Sequence, residues 1–188
     1  AFSFIQNKSN AQLHSNITIS TSATSGGAWT GDGTIATPYT FTPSSSTAAN
    51  ILNTDLQTKL NSTNGNVIIT TQYNASGTTV AGSGTVTFNT SVPITSTASN
   101  SNIKTFKILA NSTITVNTGS TISMTTNTDA ANNTYRVTSL NFIAATGNVT
   151  INSPIKTIAA STSADAIGAS GGDVTITATT GIITISST

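Results

Sequence analysis

The sequence predicts an all-β fold in which the chain winds as a β-solenoid of about four coils. Three observations predict it: short apolar runs that alternate with Thr or Asn, an internal repeat, and a composition dominated by small polar residues. The 188 residues include 26 Ser, 41 Thr and 20 Asn, and only 6% of the chain is charged, compared with about 25% in an average soluble domain. One domain is expected at this length.

The alternating apolar runs predict strands. They are "NVIITT", "TVTFN", "TITVN", "NVTIN", "DVTIT" and "IITIS". Side chains of a strand point alternately to its two faces, so such a run can turn one apolar face toward a core. A chain rich in Ser, Thr and Asn can also be disordered when it buries too little apolar surface. Because the apolar residues are grouped into runs, we expect strands and not disorder.

The second half of the chain contains a repeat. Similar stretches begin at Phe106, Leu140 and Asp173, which are 34 and 33 residues apart. Each stretch holds two strands and part of a third, and one such unit cannot bury its own apolar face, so the units are expected to stack. Stacking would form an outer column of threonines and an inner column of aliphatic residues. The outer column is Thr87, Thr115, Thr150 and Thr184, and the inner column includes Val86, Ile114, Val149 and Ile183.

We divide the chain into three parts. They are an extended N-terminal arm at 1–16, N-terminal strands and a capping helix at 17–65, and the stacked coils at 66–188. The arm carries Phe2, Phe4 and Ile5 close to its start. Exposed apolar side chains of this size are costly in water. The arm is therefore expected either to fold back onto its own domain or to insert into another molecule as a donor strand.

The capping helix is predicted within "TAANILNTDLQTKLNST". Its apolar residues recur at helical spacing, which places them on one face. They are Ile51, Leu52, Leu56 and Leu60. Asn53 or Thr54 is expected to cap the first turn. The helix is expected to cover the first coil and to block edge-to-edge growth there.

Four segments resemble the filamentous-haemagglutinin-like group of large bacterial surface adhesins, from about Ile51 to Thr188. They are "ILNTDLQTKLNSTNGNVIITT", "GSGTVTFNTSVPI", "GNVTINSPI" and "GGDVTITATTGIITISS". The resemblance implies that the solenoid is a right-handed parallel β-helix. The complete expectation is an all-β, right-handed parallel β-helix with a short N-terminal capping helix and an extended N-terminal arm.

Side chains suited to catalysis are scarce. The chain has one His, no Cys, no Glu and five Asp, and the Asp residues are far apart in the sequence. Acid–base catalysis and metal binding both need several such groups close together. We therefore expect no enzyme activity, no metal and no cofactor. The net charge of +1 predicts no nucleic-acid partner.

The same sequence predicts a protein outside the cell. No apolar run approaches the roughly 18 residues of a membrane span. The chain begins with Ala1 and lacks cysteine, so we expect an exported, extracellular or cell-surface protein whose signal peptide has been removed.

Two regions are candidate binding sites for a glycan or a cell-surface molecule. The first is the group of long linkers that follow the third strand of successive coils, since loops often carry binding residues. The charged and aromatic residues of these linkers are Lys104, Asp129, Tyr135, Arg136 and Asp165. The second region holds Trp29 and Tyr39, whose rings could stack against a sugar or pack against the capping helix. Plain variable loops are the alternative for the linkers.

The end of the chain suggests a function. The last repeat has two strands but neither a third strand nor a cap, so its strand edges and its apolar residues would be exposed. The apolar residues are Val174, Ile176, Ile183 and Ile185. The chain could be a fragment of a longer adhesin, its own loop could cover this end, or a neighbouring molecule could do so. We favour the last, a structural subunit of an extracellular head-to-tail filament whose partner is the chain itself. The alternative is an adhesin module that binds glycan or host protein through its loops.

Overall fold

A computed structural model of the chain describes residues 13–44, 48–73, 83–98, 104–126, 137–158 and 172–186. In chain order its strands are β1 (Leu13–His14), β2 (Ile17–Ser20), β3 (Gly27–Thr30), β4 (Tyr39–Pro43), β5 (Ala49–Leu52), β6 (Val67–Thr70), β7 (Gln72–Tyr73), β8 (Val86–Phe88), β9 (Ile94–Ala98), β10 (Thr105–Ala110), β11 (Ile114–Val116), β12 (Ile122–Thr126), β13 (Ser139–Ala144), β14 (Val149–Ile151), β15 (Ile155–Ile158), β16 (Val174–Ala178) and β17 (Ile183–Ile185). The helix α1 (Asn53–Asn61) lies between β5 and β6.

Most of these strands belong to three sheets. The first sheet has the order β16-β13-β10-β6-β4-β3, the second β17-β14-β11-β8-β2-β5, and the third β15-β12-β9. Neighbouring strands are parallel throughout, apart from the antiparallel pair β3 and β4 in the first sheet. A separate antiparallel pair joins β1 to β7.

The predicted columns of side chains are confirmed in the second sheet. Thr87 pairs with Thr115, Thr115 with Thr150, and Thr150 with Thr184. The aliphatic residues one position earlier pair in the same way, from Val86 to Ile183. The repeat of the second half therefore does set the register of these strands.

The predicted fold class is nevertheless contradicted. The described strands are divided among separate sheets, one of which is mixed, and a helix takes part beside them. Parallel sheets combined with a helix indicate an α/β-type arrangement and not the simple all-β, right-handed parallel β-helix of about four coils. The physical reason lies in the first half of the chain, where the repeat is interrupted by α1 and by the hairpin of β3 and β4.

Strand β2 lies between β5 and β8, two strands that follow it in the chain. Ile17 and Ile19 are fully buried there. The Asn16 side chain fixes the entry of the strand, because its Oδ1 accepts hydrogen bonds from the backbone N–H groups of Gly84 and Thr85 at 3.1 and 3.0 Å. An N-terminal segment thus completes the second sheet.

Helix α1 forms within the predicted segment, but it is shorter and capped differently. Ala49–Leu52 is a strand, and Leu52 is the residue before the first helical turn, with no side-chain cap. The predicted caps Asn53 and Thr54 are therefore wrong. Thr24 takes the place of a cap, since its Oγ1 accepts the Leu52 N–H at 3.0 Å and donates to Asp55 Oδ2 at 2.5 Å.

The position of α1 is beside the third sheet, along β9. Gln57 Oε1 accepts hydrogen bonds from the Thr95 N–H and hydroxyl, at 3.0 and 2.7 Å. Asn61 Oδ1 accepts one from the Thr97 N–H at 2.8 Å. Side-chain amides of the helix thus satisfy the backbone donors of an edge strand, which blocks the addition of a further strand there.

The interior between the sheets is apolar. Leu56 and Leu60 of α1 are fully buried in it. Phe142 makes ring contacts with Phe88, at 6.5 Å between centroids, and with Phe106, at 5.7 Å. Aromatic pairs at these separations stabilise the core beyond the area that they bury.

Candidate functional site

The last strands of the three sheets form an exposed surface, which we call the C-terminal edge surface. It consists of β15, β16 and β17, and no strand of the described ranges lies beyond them. Val174 is 45% exposed, Ile183 43% and Ile185 66%. Ile176 is partly buried and packs against the core. The four apolar residues predicted for this end therefore lie together on its outermost strands.

The exposure of these residues comes from their position and not from the direction of their side chains. Ile185 pairs with Ile151, and Ile183 pairs with Val149. Paired residues of parallel strands point to the same face of a sheet, and both partners are buried in the core. Ile183 and Ile185 therefore point toward the interior, but none of the strands that the structure describes lies on their outer side.

The backbone of the same edge has hydrogen-bonding groups that point outward. In the second sheet, the Ile182 carbonyl and the Ser186 N–H bond to β14. In a parallel ladder alternate residues bond to the same neighbour, so the amide groups of Ile183 and Ile185 point away from β14.

The same alternation holds in the first sheet. The Asp173 carbonyl and the Thr179 N–H bond to β13. The amide groups of Val174, Ile176 and Ala178 consequently point outward. Such an edge is a template for strand addition.

The opposite end of the first sheet finishes in β3. The Ser44 N–H donates to the Gly26 carbonyl, and in an antiparallel ladder every second pair is bonded in this way. The amide groups of Gly27 and Trp29 therefore point away from β4. The sequence did not indicate this second edge, because a Gly-rich segment such as "GGAWTGDGT" is more typical of a turn than of a strand.

Trp29 covers the core at this opposite end. Its ring lies edge-on to Phe41 with 5.3 Å between centroids, and Phe41 is fully buried. The second sheet ends there in β5, where Asn50 exchanges two backbone hydrogen bonds of 2.9 Å with Ser25. Helix α1 closes the third sheet. This end is therefore more completely covered than the C-terminal edge surface.

Most of the large apolar side chains that are exposed within the described ranges lie at the C-terminal edge surface. Five are on or next to the last strands of the sheets: Ile158, Val174, Ile182, Ile183 and Ile185. The sixth is Ile35, which is 79% exposed in the connection between β3 and β4. Exposed apolar patches commonly mark contact surfaces between proteins. Within the described ranges the exposed apolar surface is therefore concentrated on the last strands of the sheets.

The other predicted site residues are only partly placed. Lys104 is fully buried, and its Nζ donates a hydrogen bond of 2.8 Å to the Ser62 carbonyl. Burial lowers the pKa of Lys104 below its usual value. The remaining predicted loop and arm residues lie outside the described residues: Asp129, Tyr135, Arg136, Asp165, Phe2, Phe4 and Ile5.

The predicted sugar-stacking residues are in contact with the protein itself. Trp29 packs on Phe41, and the Lys59 ammonium group lies 4.5 Å from the centroid of the Tyr39 ring. Gly33 also lies close against that ring. Sugar binding by Trp29 and Tyr39 stays a prediction.

Ionisable groups are dispersed over the described part of the chain. Burial lowers the pKa of His14, whose Nδ1 lies 3.4 Å from Thr71 Oγ1. Hydrogen bonds from Thr37 and Thr34 lower the pKa of the exposed Asp32. Within these ranges no three His, Cys, Asp or Glu side chains are grouped as metal ligands. Nor does any described helix have the length and apolar character needed to cross a bilayer.

Comparisons with protein-family profiles, with curated proteins and with solved structures gave no match.

Proposed function

We propose that this protein is a structural, non-catalytic subunit that associates head to tail with further copies of itself in an extracellular filament. The observation that carries the proposal is the group of exposed apolar side chains on the last strands β16 and β17, at the opposite end of the first sheet from the outward-pointing amide groups of β3. A contact between two different surfaces does not close on itself, so each added copy leaves a new surface for the next.

Backbone geometry supports the same proposal. The outermost strands β16 and β17 have outward-pointing amide groups next to exposed apolar side chains. Burying these side chains against another copy would gain roughly 25 cal/mol for each Å² of apolar surface. Pairing the amides would avoid the cost of leaving them without a partner in the contact.

Substitution of one edge residue tests the proposal. Ile185 faces the interior side of the sheet, where the apolar residues of the next copy would pack. Ile185→Lys places a charge on that side, and inward-pointing charges on edge strands oppose association. Negative-stain microscopy should show filaments of the unmodified protein and only single particles of Ile185→Lys. Filaments of normal length and number in the Ile185→Lys variant would overturn the proposal, as would an unmodified protein that stays monomeric at high concentration.

Thr184→Lys is the matched control. Thr184 is exposed and pairs with Thr150 in the outward column of the same strand, so a lysine there does not enter the end contact. This variant should form filaments like the unmodified protein. Ile185→Lys should also fold, because Ile185 is mostly exposed, and its far-UV circular dichroism checks this.

The N-terminal arm is a separate part of the proposal. Phe2, Phe4 and Ile5 are proposed to strengthen the contact by adding a strand to a neighbouring copy. Deletion of residues 1–12 should then shorten or abolish the filaments. Filaments that persist unchanged would exclude the arm while leaving end-to-end association intact.

A further inference from the structure

Among the described strands, the first sheet has an unpaired edge at each end, and the two edges can pair with each other. One edge is β16 and the other is β3, at opposite ends of the same sheet. Through the intervening strands, β16 runs parallel to β4, whereas β3 runs antiparallel to β4. In a second copy of the same orientation, β3 would therefore be an antiparallel neighbour of β16. Two copies stacked head to tail would bring these strands side by side.

The direction of the side chains is the first condition for this pairing. Ile176 pairs with Phe142, which is buried in the core, so Ile176 faces inward. Trp29 pairs with Phe41 and also faces inward. In β16 and in β3, the pairing with a buried residue of the next strand therefore shows which side chains face the interior.

The direction of the amide groups is the second condition. On β16 the outward-pointing amides belong to Val174, Ile176 and Ala178, and on β3 they belong to Gly27 and Trp29. These are the inward-facing residues of each strand. In an antiparallel pair, residues that exchange hydrogen bonds lie opposite each other and share a face. Alignments that differ by two residues satisfy both conditions, and a shift by one residue satisfies neither. Among them, Trp29 opposite Ile176 is the alignment that places all four residues of β3 opposite residues of β16.

Resting on the proposed head-to-tail association, we infer that the contact between copies is an antiparallel pairing of Gly27–Thr30 of one copy with Val174–Ala178 of the next, with Trp29 opposite Ile176. Gly27 then lies opposite Ala178, Ala28 opposite Thr177, and Thr30 opposite Thr175. The first sheet continues from copy to copy. The Trp29 ring, which covers the core at one end of its own chain, also covers Ile176 of the neighbour.

Pairs of cysteines test this alignment, because the chain has no native cysteine. Four single variants are made at exposed positions: Ala28→Cys, Thr30→Cys, Thr175→Cys and Thr177→Cys. Opposite residues of a non-hydrogen-bonded antiparallel pair have Cα atoms about 4.5 Å apart, within the roughly 4.4–6.8 Å that a disulfide spans. Diagonal neighbours are about 7–8 Å apart, which is too far.

Mixing the variants two at a time gives two matched and two mismatched pairs from the same four proteins. Ala28→Cys with Thr177→Cys and Thr30→Cys with Thr175→Cys are matched; the exchanged combinations are displaced by two residues. One variant of each mixture carries a mass tag, and disulfide formation under mild oxidation is followed by non-reducing gel electrophoresis. We expect the tagged–untagged dimer to form several-fold faster in both matched mixtures than in the mismatched ones.

The outcomes separate this inference from the proposed function. Filaments that form with equal or absent cross-linking in all four mixtures would overturn the β3–β16 pairing and leave head-to-tail association standing. Single particles together with no cross-linking would overturn both. Faster cross-linking in the mismatched mixtures would show a different alignment and would also overturn the one inferred.

Discussion

The exposure of the C-terminal edge surface can be measured with one matched pair of substitutions. Ile151 and Ile185 are register partners on neighbouring strands and face the same side, but they are 2% and 66% exposed. Truncating each to alanine removes the same atoms from the two environments. The difference between the two decreases in the free energy of unfolding therefore reports how deeply each isoleucine is buried.

The expected magnitudes differ clearly. Truncation of a buried isoleucine costs about 2–5 kcal/mol, because it removes apolar surface from the core and also leaves a cavity. Full burial of such a side chain contributes roughly 1.5–3 kcal/mol. Since about a third of Ile185 is buried, Ile185→Ala should cost only about 0.5–1 kcal/mol.

Urea unfolding followed by circular dichroism measures both decreases in stability. It should be performed at a concentration low enough to keep the protein monomeric, because association adds stability to the folded state. Equal decreases for Ile151→Ala and Ile185→Ala would refute the reasoning, since they would mean that the last strand is covered in the isolated chain.

Three further predictions concern the rest of the fold. Ile19→Ala should destabilise the protein by about 2–5 kcal/mol in urea unfolding, because Ile19 of β2 is fully buried; a decrease below about 1 kcal/mol would mean that β2 does not hold the second sheet together. Gln57→Ala removes the acceptor for two donors of Thr95 and should speed hydrogen exchange of the Thr95 amide while leaving β12 unchanged; an unaltered rate would contradict the edge-covering role of α1. Burial lowers the pKa of Lys104 from 10.5 in the folded state. In the pH range just below 10.5 the unfolded chain therefore binds more protons than the folded chain, and the free energy of unfolding should rise with pH in that range. Lys104→Met should lack this rise in a pH series of urea titrations, and an identical pH dependence in both proteins would refute it.

The repeat of the second half could be predicted because it is local. Strand by strand, an aliphatic residue is followed by a threonine and another aliphatic residue, and this alternation sets which residues face inward. The pairings of Thr115 with Thr150 and of Thr150 with Thr184 follow directly from it. Likewise the apolar residues of β16 and β17 could be named from the sequence, because they alternate with threonine in the same pattern.

The first half could not be predicted in the same way, because long-range contacts decide its structure. Nothing near Ile17–Ser20 in the sequence indicates that this strand lies between β5 and β8. The start of α1 is satisfied by Thr24, which is 28 residues away from Leu52, so local capping rules indicated the wrong residues. Extending the later repeat into this half produced the wrong fold class.

Only one of the two sheet edges that form the candidate site could be predicted. The sequence identifies the apolar residues of β16 and β17, but it does not indicate that β3 forms an edge at the other end of the same sheet. That edge depends on the hairpin pairing of Trp29 with Phe41. A Gly-rich segment is more often a turn than a strand, so the local signal favoured the wrong element.

Hydrogen exchange at single amides of β16 tests the central claim most directly, namely that the free edge of one copy is covered by another. In monomers the amides of Val174, Ile176 and Ala178 point outward and should exchange fast, while that of Thr175 points toward β13 and should be protected. In filaments the three outward-pointing amides should become protected as well. Fast exchange of all three amides in intact filaments would contradict the account, and so would protection that is already present in the monomer.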